Sequence, residues 1–236
     1  MDIKRLYLGH IGGPLGPATP FHAYVITHPQ GVVLVDTGFG TTMGNDDGPA
    51  GELVFGELRM PWLRRTTTQA LSDHGLEAGD IAYVINTHLN DHGGENYLFP
   101  EATFIVQKPE WEWLAESPGK GAWDFEGAKV ELLNAEDAEI LPGVSCLFTP
   151  GHTPGHQSIL LEEEGTKTLF MGDAAYTNEI LDHPEAIIPG HPAWMMQIQI
   201  PDGRDIWLRS IEKLHAVGAD VFHFAHDPLI GHSHGH

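Results

Sequence analysis

The chain reads as an α/β protein. Short apolar runs such as Val32–Val35 and Ile81–Ile85 alternate with stretches of helical period such as 205–216. At four places an apolar run empties directly into a polar cluster: 88–92, 152–156, 173–176 and 226–227. Strand ends that deliver polar side chains to one edge of a sheet are where α/β proteins commonly build their sites.

Taken in order, 21–28 and 32–36 read as two strands across the turn Pro29-Gln30-Gly31, a hairpin. The second strand ends in Asp36-Thr37-Gly38. Residues 40–60 are rich in Gly, Asp and Pro and read as a long excursion, which in a compact domain is usually functional or disordered. The pattern from Trp62 to His74 predicts a helix closed by Gly75. Strands follow at 81–86 and 102–106, a short helix at 110–116, then strands near 144–149, 157–162 and 167–171. A second irregular stretch, 182–203, precedes an amphipathic helix over 205–216 with Gly218 as its stop, and a last strand over 221–224. With no internal repeat or linker, 1–236 is expected to be one domain. The histidine-rich end, 230–236, reads as a flexible tail.

Composition narrows the partners. Lys and Arg number 12 against 33 Asp and Glu, a formal net charge of −21. Such a chain repels phosphate backbones and anionic membrane surfaces, so neither nucleic acid nor membrane is expected. No apolar run approaches the roughly 20 residues of a spanning helix, and Met1–Leu6 lacks the features of a secretory signal. A cytoplasmic location is the expectation. The single cysteine, Cys146, excludes an intrachain disulfide and a cysteine-based zinc finger. With 16 histidines and no second thiol, a transition-metal site must use imidazole and carboxylate. Isolated histidines such as His10, His74 and His215 read as surface or capping residues.

The motifs carry a resemblance. His88-Leu89-Asn90-Asp91-His92-Gly93-Gly94-Glu95-Asn96, Thr149-Pro150-Gly151-His152-Thr153-Pro154-Gly155-His156-Gln157-Ser158, Gly172-Asp173 and Ala225-His226-Asp227 occur in that order. Together with Asp36-Thr37-Gly38 they resemble the metallo-β-lactamase superfamily over nearly the whole chain. Within it, Asp173-Ala174-Ala175-Tyr176-Thr177 and the run from Pro150 to Ser158 look most like the N-acyl homoserine lactonases. The resemblance implies a four-layer αβ/βα sandwich and a hydrolase that opens lactone rings, acting in quorum quenching.

It also implies two divalent ions, zinc first, with iron, manganese or cobalt as alternatives. His88 and His152 would hold one ion, and Asp91, His92 and His226 the other, with Asp173 bridging. Tyr176 would contact the substrate carbonyl, and Asp91 would pass a proton to the leaving alkoxide. Asp36 and His156 would support ligands by hydrogen bonds. An apolar groove for the acyl chain would draw on Phe39, Met43 and Trp62 of the first excursion, or Trp194 and Met195 of the second. The same residues could instead seal a homodimer.

The metal loop departs from the pattern. The superfamily reads His-x-His-x-Asp-His, whereas this chain reads His88-Leu89-Asn90-Asp91-His92, one histidine short. A weakened first-metal site is therefore expected. Two alternatives to the lactonase reading stand beside it. One is a glyoxalase II-like thioesterase or other ester hydrolase. The other is a metal-binding superfamily member with impaired or no catalysis.

Overall fold

One eight-stranded and one five-stranded sheet carry the chain. The computed structural model describes residues 1–12, 19–39, 50–55, 58–89, 92–116, 127, 129–188 and 197–226. The chain divides into two units, Met1–Ile105 with Leu114–Glu131, and Val106–Trp113 with Leu132–His236. Among the described residues, no helix is long and apolar enough to cross a membrane.

The larger sheet comprises β1 (Asp2–Ile11), β2 (Thr19–His28), β3 (Gly31–Val35), β4 (Ala50–Phe55), β5 (Leu58–Arg64), β6 (Ile81–Ile85), β7 (Thr103–Gln107) and β8 (Lys129–Leu133). Its order is β4-β5-β1-β2-β3-β6-β7-β8. The β2–β3 hairpin pairs Tyr24 with Val35 through to His28 with Gly31, as the turn signal predicts. β3, β6 and β7 run parallel. Val33, Leu34, Val35, Val84 and Ile85 are all buried, which is why these strands read as continuous apolar runs rather than alternating ones.

The first unit departs from the sequence reading between 40 and 74. Part of the expected excursion forms the β4–β5 hairpin, and Trp62-Leu63-Arg64 extend β5 by pairing with Ile11, His10 and Gly9 of β1. The helix α1 is correspondingly short, Thr67–Ser72. Thr66 caps it, its side chain accepting from Gln69 N–H while Gln69 reaches back to the Thr66 N–H. A cap at Thr66 and strand pairing before it override the helical period of 62–66.

The five-stranded sheet comprises β9 (Ala138–Leu141), β10 (Val144–Phe148), β11 (Gln157–Glu163), β12 (Thr166–Gly172) and β13 (Val221–Phe224), in the order β13-β12-β11-β10-β9. Only the β12–β13 pair is parallel. The helices are α2 (Lys108–Ala115), α3 (Asn178–Asp182) and α4 (Arg204–Val217). On α4, Trp207, Ile211 and Leu214 lie at i, i+4 and i+7 and bury one face in a core with Leu169, Met171, Leu181 and Phe224. Gly218 ends the helix at φ +62°, the left-handed conformation that glycine adopts without penalty.

Trp207 is fully buried, and its indole N–H donates to Ala174 O at 2.7 Å. Replacing it with alanine removes a large core side chain and one of the two hydrogen bonds to that carbonyl. We expect Trp207→Ala to lower the unfolding free energy by about 3–5 kcal/mol in denaturant titration. A loss below about 1 kcal/mol, typical of surface positions, would contradict this packing.

Candidate functional site

The first unit supplies its polar groups from the ends of β3 and β6. Asp36, just past β3, sits at φ +65°, a left-handed conformation tolerated by aspartate better than by most residues. Its Oδ1 accepts from Thr87 N–H at 2.7 Å, and its Oδ2 accepts from the Thr87 hydroxyl at 2.9 Å. His92 Nδ1 lies 2.8 Å from the same Oδ2. A carboxylate at Nδ1 holds the proton there and leaves Nε2 as a lone pair for an electrophile.

His88 and His92 are buried side by side, ring centroids 4.6 Å apart. Thr87 Oγ1 lies 3.1 Å from His88 Nδ1. Two buried imidazoles this close repel each other if protonated and suit a shared cation.

The turn after His92 is held by hydrogen bonds to Thr37 and Asn86. Thr37 N–H donates to His92 O at 2.7 Å, and its hydroxyl donates to Asn96 Oδ1 at 2.8 Å. Asn96 and Asn86 exchange side-chain amide hydrogen bonds at 2.9 and 3.1 Å. Gly94 lies so close to Phe39 that a Cβ there would stand 2.4 Å from the Phe39 carbonyl carbon. Glu95 is buried, accepting from Thr67 N–H at 2.5 Å. Its Oε1 has no hydrogen-bond partner among the described residues. Burial pushes the Glu95 carboxyl above its ordinary range, against the opposing pull of Thr67 and of the Arg64 charge.

The second unit supplies the loop between β10 and β11 and the ends of β12 and β13. Asp173 is fully buried. Its Oδ2 lies 3.4 Å from His152 Nε2, and its Oδ1 lies 3.1 Å from His226 Nε2. The Tyr176 ring packs edge-on against His226 at 4.7 Å and against His152 at 6.2 Å.

His156 serves this cluster without joining it. Its Nε2 accepts from Asp173 N–H at 2.9 Å, so its proton is on Nδ1, which lies 3.1 Å from Thr149 O and 2.9 Å from Thr149 Oγ1. With Nε2 occupied by a backbone donor, His156 has no lone pair to offer an ion.

The peptide that carries Asp173 is clamped on its other side as well. Gln197, buried, donates to Asp173 O at 2.5 Å and to Ala174 O at 3.0 Å, beside the Trp207 bond already described. In the 149–156 loop, Gly151 at φ +144° leaves no room for a Cβ, which would stand 2.5 Å from that of Trp207. Gly155 N–H donates to the buried Glu110 at 3.1 Å. Gln197 and Glu110 stand outside any recognisable motif, and no sequence signal pointed to them.

Of the expected acyl-groove residues, Phe39 and Trp62 are buried in an aromatic stack: Phe39 packs on Phe21 at 4.6 Å and edge-on against Trp62 at 6.2 Å. Phe21 in turn lies 5.8 Å from the His92 ring. Met43, Asn90, Asp91, Trp194, Met195 and the tail 230–236 lie outside the described residues.

Known proteins resemble this chain throughout. The sequence pattern of the metallo-beta-lactamase superfamily matches residues 18–226. An N-acyl homoserine lactonase from a Bacillus species is 35% identical over 207 residues, which is 76% of this chain and 79% of that protein. The N-acyl homoserine lactonase AttM of Rhizobium radiobacter is 36% identical over 191 residues, 72% of this chain and 70% of its own. A solved N-acyl homoserine lactone hydrolase, with the product N-hexanoyl-L-homoserine bound at its catalytic metal centre, matches with a TM-score of 0.73. It shares 27% identity and is covered over 93% of its chain and 96% of this one.

Two predictions follow from the hydrogen bonds. Asp36→Asn keeps the size of the side chain but points an amide N–H₂ at donors that now meet a carboxylate. It should cost about 1–3 kcal/mol of stability in denaturant titration of the metal-free protein; an unchanged midpoint would contradict the bonding described. The second concerns Glu95, whose raised pKa means that the folded chain holds this proton more tightly than the unfolded chain. Its contribution to stability is present at acid pH and lost as pH rises through the raised value. Glu95→Gln should therefore flatten the fall in stability across weakly acidic pH, and an identical slope would refute the assignment.

Proposed function

This chain belongs to the metallo-beta-lactamase superfamily, and from that premise we propose that it is a metal-dependent hydrolase opening the ring of N-acyl homoserine lactones. The observation that carries the reading is Asp173, whose carboxylate is buried between the Nε2 atoms of His152 and His226 with Tyr176 against both rings. A buried carboxylate facing two imidazoles is a donor set that suits a divalent cation. The lactonases at 35% and 36% identity name the substrate class.

His88 and His92 of the first unit and His152, Asp173 and His226 of the second are the ligands we assign, with Asp91. The superfamily match running from 18 to 226 across both units supports reading them as one working domain. Zinc is our first choice of ion, because imidazole and carboxylate are its usual donors in the absence of thiols. When bound, a pair of such ions supplies Lewis acidity and a hydroxide nucleophile near neutral pH.

The chain's own groups do the rest. Asp36 keeps the proton of His92 on Nδ1, and His156 sets the orientation of Asp173 through its backbone N–H. Tyr176 is assigned to donate its hydroxyl to the oxygen of the carbonyl under attack. Asp91 is assigned the proton transfer to the alkoxide that leaves as the ring opens. The acyl chain is assigned to the side of Phe39, Met43, Trp62, Trp194 and Met195. The net charge of −21 disfavours nucleic-acid substrates.

Acyl homoserine lactones offered with a thioester control test this reading. Acid release with the lactones is the expected result, and thioester cleavage without lactone opening would move the chain to the thioesterase class. Tyr176→Phe should lower kcat by about tenfold or more while metal content stays at the wild-type value.

One specific observation supports a weaker enzyme than the relatives: the loop 88–92 holds one histidine fewer than the superfamily pattern. A histidine inserted after Leu89 should raise both bound metal per chain and turnover. No gain in either would argue that the short loop is fully functional.

A further inference from the structure

The separations around Asp173 are those of atoms sharing an ion. His152 Nε2 lies 3.4 Å from Oδ2, and His226 Nε2 lies 3.1 and 3.3 Å from the two carboxylate oxygens. Donors about 2.1 Å from a tetrahedral ion stand about 3.4 Å from each other.

One more side chain in the second unit stands at this spacing. The Gln199 carboxamide nitrogen is 3.4 Å from His152 Nε2. Its position is set by the main chain, because Gln199 N–H donates to His152 O at 2.9 Å. The preceding Gln197 and Ile198 are buried and anchor the segment, whereas Gln199 is exposed. A half-turn about the last side-chain bond exchanges the amide nitrogen and oxygen. With no cation present, the N–H₂ end suits the imidazole lone pair. With a cation on that lone pair, the oxygen is the end that faces it.

We propose that Gln199 supplies its side-chain oxygen as a ligand to the ion held by His152 and Asp173. The assignment rests on the metal-dependent lactonase reading above. It adds a neutral oxygen donor to the imidazole of His152 and the carboxylate of Asp173. An amide oxygen is neutral and a weaker partner than imidazole for a nitrogen-preferring ion. The contact it makes is therefore weaker than an imidazole in the same place would make.

The test uses the full chain, stripped by chelation and refilled with zinc(II) or cobalt(II). Metal per chain is counted, and stepwise affinities are read by competition with a chromophoric chelator. Gln199→Ala should weaken one binding step about tenfold or more and leave the other unchanged. Gln199→His should tighten that same step and alter the visible spectrum of the cobalt form. Gln199→Glu, which retains an oxygen donor of the same reach, should keep wild-type affinity or better.

Wild-type affinities in both Gln199→Ala and Gln199→His overturn the assignment. If a higher KM for the lactone accompanies those affinities, the amide is a substrate contact instead. A wild-type chain that takes up no metal and opens no lactone removes the lactonase reading before any variant is made, which separates that failure from this one.

Discussion

The burial of the Asp173 carboxylate is the constraint on which the second unit depends. An ionised carboxylate without water costs several kcal/mol unless hydrogen bonds and opposite charge offset it. Here the main chain of Asp173 is held by His156 at its N–H and by Gln197 at its carbonyl. The carboxylate itself lies at ligand-like distances from the imidazoles of His152 and His226. Such an arrangement suits a divalent cation. It also ties the site to the core: Trp207 fills the space beneath Gly151 and holds Ala174, so the face of α4 that stabilises the unit also supports the loop and the turn that carry His152 and Asp173.

The first unit solves the same problem with different parts. Asp36 occupies a strained backbone conformation, worth on the order of 1–3 kcal/mol, and in return accepts from Thr87 and holds His92. Behind it stand Thr37, Asn86, Asn96 and Glu95, all buried. Fully buried polar networks rigidify what they hold only when nearly every member is satisfied. The exception, Glu95 Oε1, belongs to the carboxyl whose affinity for its proton burial raises.

Much of this could be read without coordinates, and the failures have physical causes. The β2–β3 hairpin, β6, β10 to β13 and α4 each carry a clean period or turn signal. β1 was missed because Asp2–Ile11 mixes Lys4, Arg5 and Gly9 into its apolar positions. β4 and β5 were read as excursion and helix because Trp62 and Leu63 fit either period, and cross-strand pairing decided between them. Among site groups, the histidines and Asp173 were legible because several ligand-type residues cluster at strand ends. Gln197, Gln199 and Glu110 were not, because an isolated Gln or Glu carries no pattern. Each acquires meaning only through what the fold sets beside it.

By itself, then, the sequence determined the α/β class, the imidazole and carboxylate groups on offer, the short 88–92 loop and the strongly acidic balance of charge. Those properties follow from composition and from local order along the chain. Only the tertiary structure decided which nitrogen of His92 and of His156 carries the proton. It set His156 Nε2 on the Asp173 N–H, and it brought the Gln199 amide to His152. The reason is that hydrogen bonds between residues 7 to 56 positions apart, from Thr149–His156 to Asp36–His92, select tautomers and orientations. No local pattern in the chain specifies those.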